Sequence, residues 1–577
     1  MKFKLLFFTG LISLWIIPAT GQLRSSTAKE NIPAGIPPEH SWWNLLQYTI
    51  DVAPDYSRKY ISGNNNITFS VISPGRIMRI DLQEPLKITA VTWKKQHLTF
   101  EKKDKNTYLV TFPQELTTGD KHTIAIAYEG HPQEAIKPPF SSGWIWAKDE
   151  KGRAWMSIAC EGAGASIWLP CKEVLYDEPD LGVSLTITVP DTLVAVGNGR
   201  LQKKTRAGKG TTAYTWTVIN PINNYNIIPC IGKYTSWHRQ YEGLKGPLDC
   251  DYWVLDYNLK KARSHFLQAD TMLRAFEYWL GPYPFYEDGY KLVEAPMPGM
   301  EHQSAVAYGN GFRNGYEGTD RISGTGWGLK WDFILVHESG HEWFGNSITS
   351  NGMGESWIHE GFTKYLETLY TDFVFGTAAG NEYAIGTWKR IKNDQPIIGT
   401  NTSDKYYKGS AMLHTIRQII GDVAFREWLQ RLNKDLYHQT VSTNQILTLL
   451  NQGSGKDFSK VFTQYLTTTQ IPTLEYAITG NQFSYRWTNC IPGFNMPVKI
   501  SFEDHALLLI TPTTEWQQMS LPENRRHPSI DNNFYVRTQQ IQRLHYATSH
   551  HDTATTRAGR NGAASRGIQP DHRCTAG

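Results

Sequence analysis

The segment His337-Glu338-Ser339-Gly340-His341, followed by Glu360, carries the strongest chemical signal in this chain of 577 residues. On a helix, two imidazoles at this spacing lie one turn apart on the same face, so both can bind one ion. A catalytic zinc site needs three protein ligands and one open position for water. His337, His341 and Glu360 supply such a set, and Glu338 beside them can transfer a proton. The pattern therefore predicts a zinc hydrolase that binds one Zn²⁺ per chain.

The residues around this motif predict two helices. The run Trp-Asp-Phe-Ile-Leu-Val at 331–336 leads into the motif, so the first helix is expected to be buried, where histidines need a partner or a metal. Gly340 in this helix suggests that another backbone or a substrate approaches closely. Glu360 begins a second helix, for which Ser356 is the expected N-cap. The alternative, an ordinary helix with two surface histidines, does not explain the apolar context.

Several further stretches make a family resemblance recognisable. They are Glu-Trp-Phe-Gly-Asn at 342–346, Trp357-x-x-Glu360-Gly361, Pro298-Gly299-Met300-Glu301-His302, Tyr406-Tyr407-Lys408-Gly409, and Glu161 placed nine residues before Pro170-Cys171-Lys172. With Glu360 nineteen residues beyond His341, they resemble the gluzincin (M1) zinc aminopeptidases, which include aminopeptidase N and the leukotriene-epoxide hydrolase. The similarity spans residues 40 to 535, and the chain looks like a bacterial exported form.

The resemblance implies a role for each matching residue in removing the first residue of a peptide. Glu338 would act as general base on the zinc-bound water, and Tyr406 would donate a hydrogen bond to the developing oxyanion. A desolvated ammonium needs anionic partners, and Glu161 and Glu301, which match the amine-binding glutamates of the family, would supply them. The backbone at 299–300 would line the substrate strand. The substrate-binding residues implied in this way are Glu161, Gly299, Met300 and Glu301.

Some of these assignments have an alternative that the residues alone leave open. A lone glutamate carries little information, so Glu301 and Glu161 could also be solvated surface acids. Tyr407 could face the site in place of Tyr406, although the Tyr-x-Lys-Gly spacing favours Tyr406. Only the surrounding motifs favour a functional role for these residues.

Two further histidines, His302 and His359, each follow or precede a predicted site residue directly. His302 departs from the family, which usually has asparagine at this position and glycine where Pro298 stands. This departure leaves the local backbone and the substrate preference open, and His302 could titrate near neutral pH. His359, next to Glu360, points elsewhere on its helix. It is expected to pack or to support the site from outside the ligand shell.

Both ends of the chain differ from its body. Residues 1–21 read as a secretory signal peptide, with Lys2 and Lys4, an apolar stretch and a small-residue cleavage site. An uncleaved membrane anchor is the alternative, and no other stretch is long and apolar enough to span a bilayer. The protein is therefore expected to be exported, to the periplasm or as a secreted protein. Residues 537–577 have a composition that cannot bury a core and are expected to form a disordered or non-native tail.

Charge and cysteine content exclude some partners. The formal charge of +4 arises from the two ends, and the remaining body is close to neutral, so neither nucleic acid nor an anionic membrane is indicated as a partner. Among the six cysteines, Cys160 and Cys171 form the nearest pair in sequence, but pairing cannot be deduced from sequence. We expect mostly ordinary buried thiols. The sequence contains no Cys-x-x-Cys spacing, so metal binding by these cysteines is not indicated.

The length and the change of hydrophobic period predict a multidomain α+β chain. Alternating strand-like runs predict an all-β domain over 22–256, helical spacing predicts the zinc catalytic domain over 257–471, and alternation returns over 472–536. The resemblance implies that these are a saddle-like N-terminal domain, a thermolysin-like, mostly helical domain and a small C-terminal β-sandwich.

The leading functional hypothesis is a zinc metalloaminopeptidase that acts, as a monomer, on peptides with a free N-terminus. One alternative is an epoxide hydrolase-like activity on the same site, as in one branch of the family. An endopeptidase is disfavoured because the two amine-binding glutamates would oppose an acylated amine. An inactive, peptide-binding relative is the third alternative, although it predicts the loss of a catalytic group, and all of them are present.

Overall fold

The computed structural model describes residues 36–502, 507–521 and 527–542. The predicted signal peptide at 1–21 and the part of the predicted tail beyond residue 542 lie outside these ranges. Within them, no helix combines the length and the apolar character needed to cross a membrane.

The N-terminal region is built almost entirely from strands, because its apolar residues alternate with polar ones. In Val183–Pro190, for example, every second side chain is buried. After the short helix α1 (Pro38–Ser41), the strands are β1 (Trp43–Asp55), β2 (Tyr60–Val71), β3 (Gly75–Asp81), β4 (Lys87–Trp93), β5 (Gln96–His97), β6 (Thr99–Lys102), β7 (Thr107–Leu116), β8 (Lys121–Gly130), β9 (Gly143–Lys148), β10 (Ala154–Ala159), β11 (Val183–Pro190), β12 (Val194–Val196), β13 (Arg200–Gly208), β14 (Thr211–Val218), β15 (Cys230–Gly232), β16 (Tyr234–Gly243) and β17 (Gly246–Leu255).

Three sheets enclose the core of this region. The eight-stranded sheet has the order β13-β14-β11-β1-β2-β8-β4-β5, and the smaller ones have the orders β12-β15-β10-β9 and β3-β7-β6. Apolar side chains from all three form one buried cluster. Glu161 follows two residues after the end of β10, so the β region contributes directly to the site described below.

The central region is mostly helical and contains the zinc motif. Its helices are α2 (Leu259–His265), α3 (Gln268–Leu280), α4 (Phe333–Gly340), α5 (Trp357–Phe375), α6 (Thr377–Thr387), α7 (Asp404–Ile420), α8 (Asp422–Asp435), α9 (Thr443–Ser454) and α10 (Ser459–Thr467). Its strands are β18 (Tyr290–Glu294), β19 (Gly299–Met300), β20 (Val306–Tyr308), β21 (Ile348–Ser350) and β22 (Gln439–Val441). The five-stranded sheet β16-β17-β18-β20-β19 crosses the domain boundary predicted at residue 256, because β17 pairs in parallel with β18.

Two sheets close the described part of the chain. Their strands are β23 (Thr473–Thr479), β24 (Gln482–Thr488), β25 (Val498–Phe502), β26 (Leu508–Ile510), β27 (Gln517–Ser520), β28 (Pro528–Ile530) and β29 (Arg537–Gln540). Phe483 of one sheet packs edge-on against Phe502 of the other, with ring centroids 5.3 Å apart. Buried residues of both sheets belong to the same apolar cluster as the catalytic helices. The predicted fold class is confirmed, and the two later regions share one core.

The first residues of the predicted tail form a strand. Arg537–Gln540 pairs in parallel with Thr473–Tyr476 of β23, and all four of its side chains are exposed. Backbone pairing satisfies amide and carbonyl groups whatever the side chains are, so composition could not reveal this strand. Among the described cysteines, Cys160, Cys171, Cys230 and Cys250 are buried free thiols, and Cys490 is a half-buried one. This agrees with the expectation of ordinary thiols, whereas Cys574 lies outside the described residues.

A buried histidine far from the zinc motif should make stability depend on pH. His414 on α7 is fully buried, with Nδ1 3.1 Å from the Tyr365 hydroxyl and Nε2 3.0 Å from Asn533 Oδ1. Burial lowers the pKa of His414 to about 4. Because an unfolded histidine has a pKa of about 6.5, the unfolded state binds the extra proton first, and stability is lost as pH falls from about 6.5 towards 4.

We therefore expect wild type to lose about 2 kcal/mol more unfolding free energy between pH 7 and pH 4.5 than the variant His414→Gln. Urea unfolding at a series of pH values measures this difference in slope. The variant His97→Gln, which removes an exposed histidine, should keep the wild-type slope. Equal slopes for wild type and His414→Gln would contradict the prediction.

Candidate metal and active site

Helix α4 carries the motif and packs tightly against α5. The helix starts at Asp332, whose carboxylate accepts the backbone N–H of Leu335 at 3.1 Å and caps the helix. It ends at Gly340. A Cβ atom on Gly340 would lie 3.1 Å from side-chain atoms of Thr363 and Leu366, both on α5. Glycine at this position therefore allows the close packing that brings Glu360 of α5 next to the two histidines.

The three predicted ligands converge on one point. Glu360 Oε2 lies 3.4 Å from His341 Nε2 and 3.9 Å from His337 Nε2. All three residues are buried, and their ligand atoms lie within 4.8 Å of one another. Ligands about 2.0–2.2 Å from a tetrahedral zinc ion lie roughly 3.4 Å apart. Glu360 Oε2 is buried and makes no hydrogen bond with any described residue, so these donors fit a zinc ion.

Hydrogen bonds behind the ligands orient the two imidazoles. His337 Nδ1 donates to Glu367 Oε1 at 2.8 Å, and His341 Nδ1 donates to the carbonyl of Phe344 at 3.0 Å. Lys364 and Tyr383 also donate to Glu367. Each Nε2 is thereby left with a free lone pair for the metal. Glu367 is not among the residues predicted from sequence, although its position two turns after Glu360 on α5 is a signal that helix periodicity provides.

A second group of side chains adjoins the ligands. Atoms of Glu301, Glu338 and His341 lie within 4.8 Å of one another, and all three residues are buried. The approach of β19 to α4 makes this possible, because a Cβ atom on Gly299 would lie 2.9 Å from Glu338 Oε1. Burial, and then the negative charge of Glu301, raises the pKa of Glu338 well above its usual range, whereas the positive charge of a zinc ion held by the adjoining ligands would lower it again. The predicted residues Gly299 and Met300 thus form the strand beside the Glu338 carboxylate.

Glu161 and Tyr406 both interact with residues of this site. Burial, and then the negative charge of Glu301, raises the pKa of Glu161 to about 8. Neither glutamate is a solvated surface acid, since Glu301 is buried and Glu161 is half-buried. The Tyr406 hydroxyl donates to Glu360 Oε1 at 2.6 Å. The neighbouring ring of Tyr407 packs instead near the ammonium of Lys364.

The structure also places near the site three residues for which the sequence led to an expectation: His302, His359 and Ser356. His302 is fully buried and its ring nitrogens have no partner among the described residues, so burial lowers its pKa to about 3 and the expected titration near neutral pH is wrong. His359 accepts the backbone N–H of Ser350 at 2.8 Å and is not a ligand, as expected. Ser356 makes no side-chain capping bond, because a 3₁₀ turn, Met353–Glu355, leads directly into α5.

Two family models match this chain. One, described as the Peptidase M1 N-terminal domain, matches residues 44–225, and the other, described as the Peptidase family M1 domain, matches residues 328–465. Together these ranges cover more than half of the sequence. The chain belongs to the M1 peptidase family. The matched ranges contain Glu161, the three zinc ligands and Tyr406, while Glu301 lies between the two ranges.

Curated M1 relatives are about one fifth identical to this chain over the residues that align. It is 21% identical over 415 residues to leukotriene A-4 hydrolase of Xenopus laevis, covering 66% of this chain and 63% of the relative. It is 22% identical over 351 residues to endoplasmic reticulum aminopeptidase 1 of Homo sapiens, covering 57% of this chain and 36% of the relative. The chain therefore spans less than two thirds of the length of these relatives.

Solved M1 structures share the fold. A mutant M1 zinc metallopeptidase from Deinococcus radiodurans, bound to a Tyr-Ser-Ala substrate, has a TM-score of 0.61 and 21% identity, covering 74% of this chain and 95% of that one. A two-domain M1 zinc metallopeptidase mutant bound to L-tryptophan has a TM-score of 0.62 and 20% identity, covering 78% and 99% of the two chains. At these identities the similarity establishes the architecture alone.

Proposed function

We propose that the protein is a zinc-dependent aminopeptidase that releases N-terminal residues from peptides. The observation that carries the proposal is the pair of glutamates, Glu301 and Glu161, placed beside the Glu338 carboxylate and the metal ligands. A bare zinc hydrolase site would not need two further acids in its cleft. Family membership supports the proposal, as does the presence of each group that the reaction requires.

Each residue of the site would have a distinct role in hydrolysis. His337, His341 and Glu360 would hold the zinc ion, which when bound polarises the scissile carbonyl and lowers the pKa of its water. Glu338 adjoins this position without belonging to the ligand group, so it can take a proton from the attacking water and return it to the leaving amine. Tyr406, hydrogen-bonded to the ligand Glu360, can turn its hydroxyl to the developing oxyanion.

The acidic cleft favours a free α-ammonium over a blocked one. An ammonium held by Glu301 and Glu161 would offset the repulsion between their carboxylates, and an acetylated amine would leave both charges without a partner. The pKa of Glu161 is raised to about 8 by burial first, and then by the negative charge of Glu301. The cleft would therefore bind the N-terminal end of a peptide and disfavour internal sites.

The proposal is tested with leucine p-nitroanilide and its N-acetyl derivative. We expect kcat/KM for the free-amine substrate to be at least about 10²-fold higher, because blocking the amine leaves buried charges unpaired. An inactive relative would hydrolyse neither compound. Cleavage of the acetylated compound alone would overturn the aminopeptidase assignment.

Replacing Tyr406 by phenylalanine should lower kcat for leucine p-nitroanilide by about 10²-fold with little change in KM. The variant loses a hydroxyl that acts on the transition state and keeps the ring that fills the space. Tyr407→Phe is the matched control and should keep at least half of the wild-type rate. The prediction fails if the two variants are equally impaired, or if the zinc content of Tyr406→Phe falls.

We also propose that the protein is exported and acts as a monomer. Export is supported by the signal-like sequence of residues 1–21, which lie outside the described residues. Intact mass and cell fractionation in a bacterial host test export, and loss of these residues with recovery outside the cytoplasm is the expected result. Sedimentation of the purified protein tests the oligomeric state.

A further inference from the structure

Tyr225 lies beside the amine-binding glutamates without any assigned role. It belongs to a 3₁₀ turn, Asn224–Asn226, in the N-terminal region. Its side chain is 4% exposed, and its hydroxyl has no hydrogen-bond partner among the described residues. A buried hydroxyl without a partner costs about 1–3 kcal/mol, so such a group calls for an explanation.

Two chains of contacts connect the turn that carries Tyr225 with the segments that carry the two glutamates. Its carbonyl accepts a hydrogen bond from Cys160 Sγ at 3.1 Å, and Cys160 directly precedes Glu161. On the other side, Asn226 Nδ2 donates to Asn346 Oδ1 at 2.6 Å, and Asn346 Nδ2 donates to the carbonyl of Glu301 at 2.8 Å. The turn that carries the phenol is therefore held to the side chain of Cys160, next to Glu161, and through Asn346 to the backbone of Glu301.

The surroundings of the phenol are strongly acidic. Burial, and then the negative charges of Glu301 and Glu161, raises the pKa of Tyr225 well above its usual range. A tyrosine hydroxyl already keeps its proton at neutral pH, and this shift acts in the same direction. A protonated hydroxyl can donate one hydrogen bond and accept another at the same time.

An α-ammonium group offers three N–H donors. The two glutamates each supply a carboxylate acceptor, and the neutral oxygen of Tyr225 would supply a third without adding charge. The Tyr225 hydroxyl can in turn donate a hydrogen bond to the Glu301 carboxylate. This bond would reduce the repulsion between Glu301 and Glu161. No other buried, unpartnered hydroxyl in the described part of the chain is subject to the charges of both glutamates.

We propose that Tyr225 is a third residue of the amine-binding site, whose hydroxyl accepts an N–H of the substrate ammonium while donating to Glu301. The inference rests on the proposed aminopeptidase function and adds a residue to its substrate-recognition site. It predicts that Tyr225 acts on the amine of the substrate and on no other part of it.

Two inhibitors isolate this interaction. Leucine hydroxamic acid carries the α-amine, and 4-methylpentanohydroxamic acid is the same zinc-binding molecule without it. In Tyr225→Phe we expect the inhibition constant of leucine hydroxamic acid to rise about tenfold, because a hydrogen bond to a charged group is lost. The inhibition constant of the deaminated compound should change less than twofold. Zinc content and the thermal midpoint should match wild type, since the change removes an unpartnered hydroxyl and keeps the ring.

Tyr252→Phe is the matched control. Tyr252 is a fully buried tyrosine on β17 whose hydroxyl also has no partner among the described residues. Its variant should bind both inhibitors as wild type does. If Tyr225→Phe weakens both inhibitors equally, or neither, while wild type prefers the amine-bearing one, the assignment of Tyr225 is wrong and the proposed function stands. If wild type shows no preference for the amine, the proposed function fails, and the inference fails with it.

Discussion

Replacing Glu338 by glutamine should lower kcat for leucine p-nitroanilide about 10³-fold while the bound zinc remains. Glutamine preserves the volume of the side chain and its packing against Gly299, where a Cβ atom would lie 2.9 Å from Glu338 Oε1. It removes the basic oxygen that takes the proton from the attacking water. Steady-state kinetics measure the rate, and metal analysis of the purified variant measures the zinc content.

Glu342→Gln provides the matched control for this variant. Glu342 is fully buried four residues further along, and it accepts the backbone N–H of Ser304 at 2.9 Å. Burial raises the pKa of Glu342 to about 8, so its carboxyl is mostly protonated at pH 7 and resembles the neutral amide. This variant should keep most of the wild-type rate. Similar losses in both variants would mean that the effect of Glu338→Gln is structural, and the assignment of Glu338 as general base would be abandoned.

Removing the metal should abolish hydrolysis and also destabilise the catalytic region. Glu360→Ala takes away the ligand whose Oε2 lies 3.4 Å from His341 Nε2, and it leaves two imidazoles that cannot form a closed site. Because the metal binds the folded state, wild type in zinc at 100 times its dissociation constant gains about 2.7 kcal/mol. Addition of a chelator to wild type should therefore lower the thermal midpoint, and re-addition of zinc should restore both activity and stability.

His359→Gln separates loss of the metal from damage to α5. His359 is the residue before Glu360 and its Nε2 accepts the backbone N–H of Ser350 at 2.8 Å, so it is buried in the same helix without facing the ion. This variant should lose stability and keep its zinc. A wild-type protein that is metal-free after zinc loading, or whose thermal midpoint does not respond to a chelator, would contradict the metal assignment.

The zinc ligands could be predicted from sequence because their arrangement is mostly local. His337 and His341 lie one turn apart on any helix, and an apolar run before them indicated burial. The third ligand, Glu360, came from its spacing within a family pattern. Conversely, the tail boundary at Arg537 was wrong, because β29 is held by backbone pairing that its exposed side chains do not reveal.

Other features depended on contacts between segments distant in sequence. The burial that holds the pKa of His302 at about 3 arises from packing around a residue that reads as titratable in the sequence. Glu367 became recognisable as the partner of His337 only when α4 and α5 were placed side by side. Tyr225 could not be predicted from sequence, since the residues next to it in the chain contain no motif that indicates a catalytic cleft.

The sequence by itself thus determined the metal chemistry, the order of β and helical regions and the family, because helical periodicity and motif spacing are properties of short segments. Tertiary structure alone decided which acid supports His337, which histidine remains neutral and which tyrosine hydroxyl is left without a partner. Burial and charge interaction depend on distances in space, and those are established only when the N-terminal strands pack against the catalytic helices.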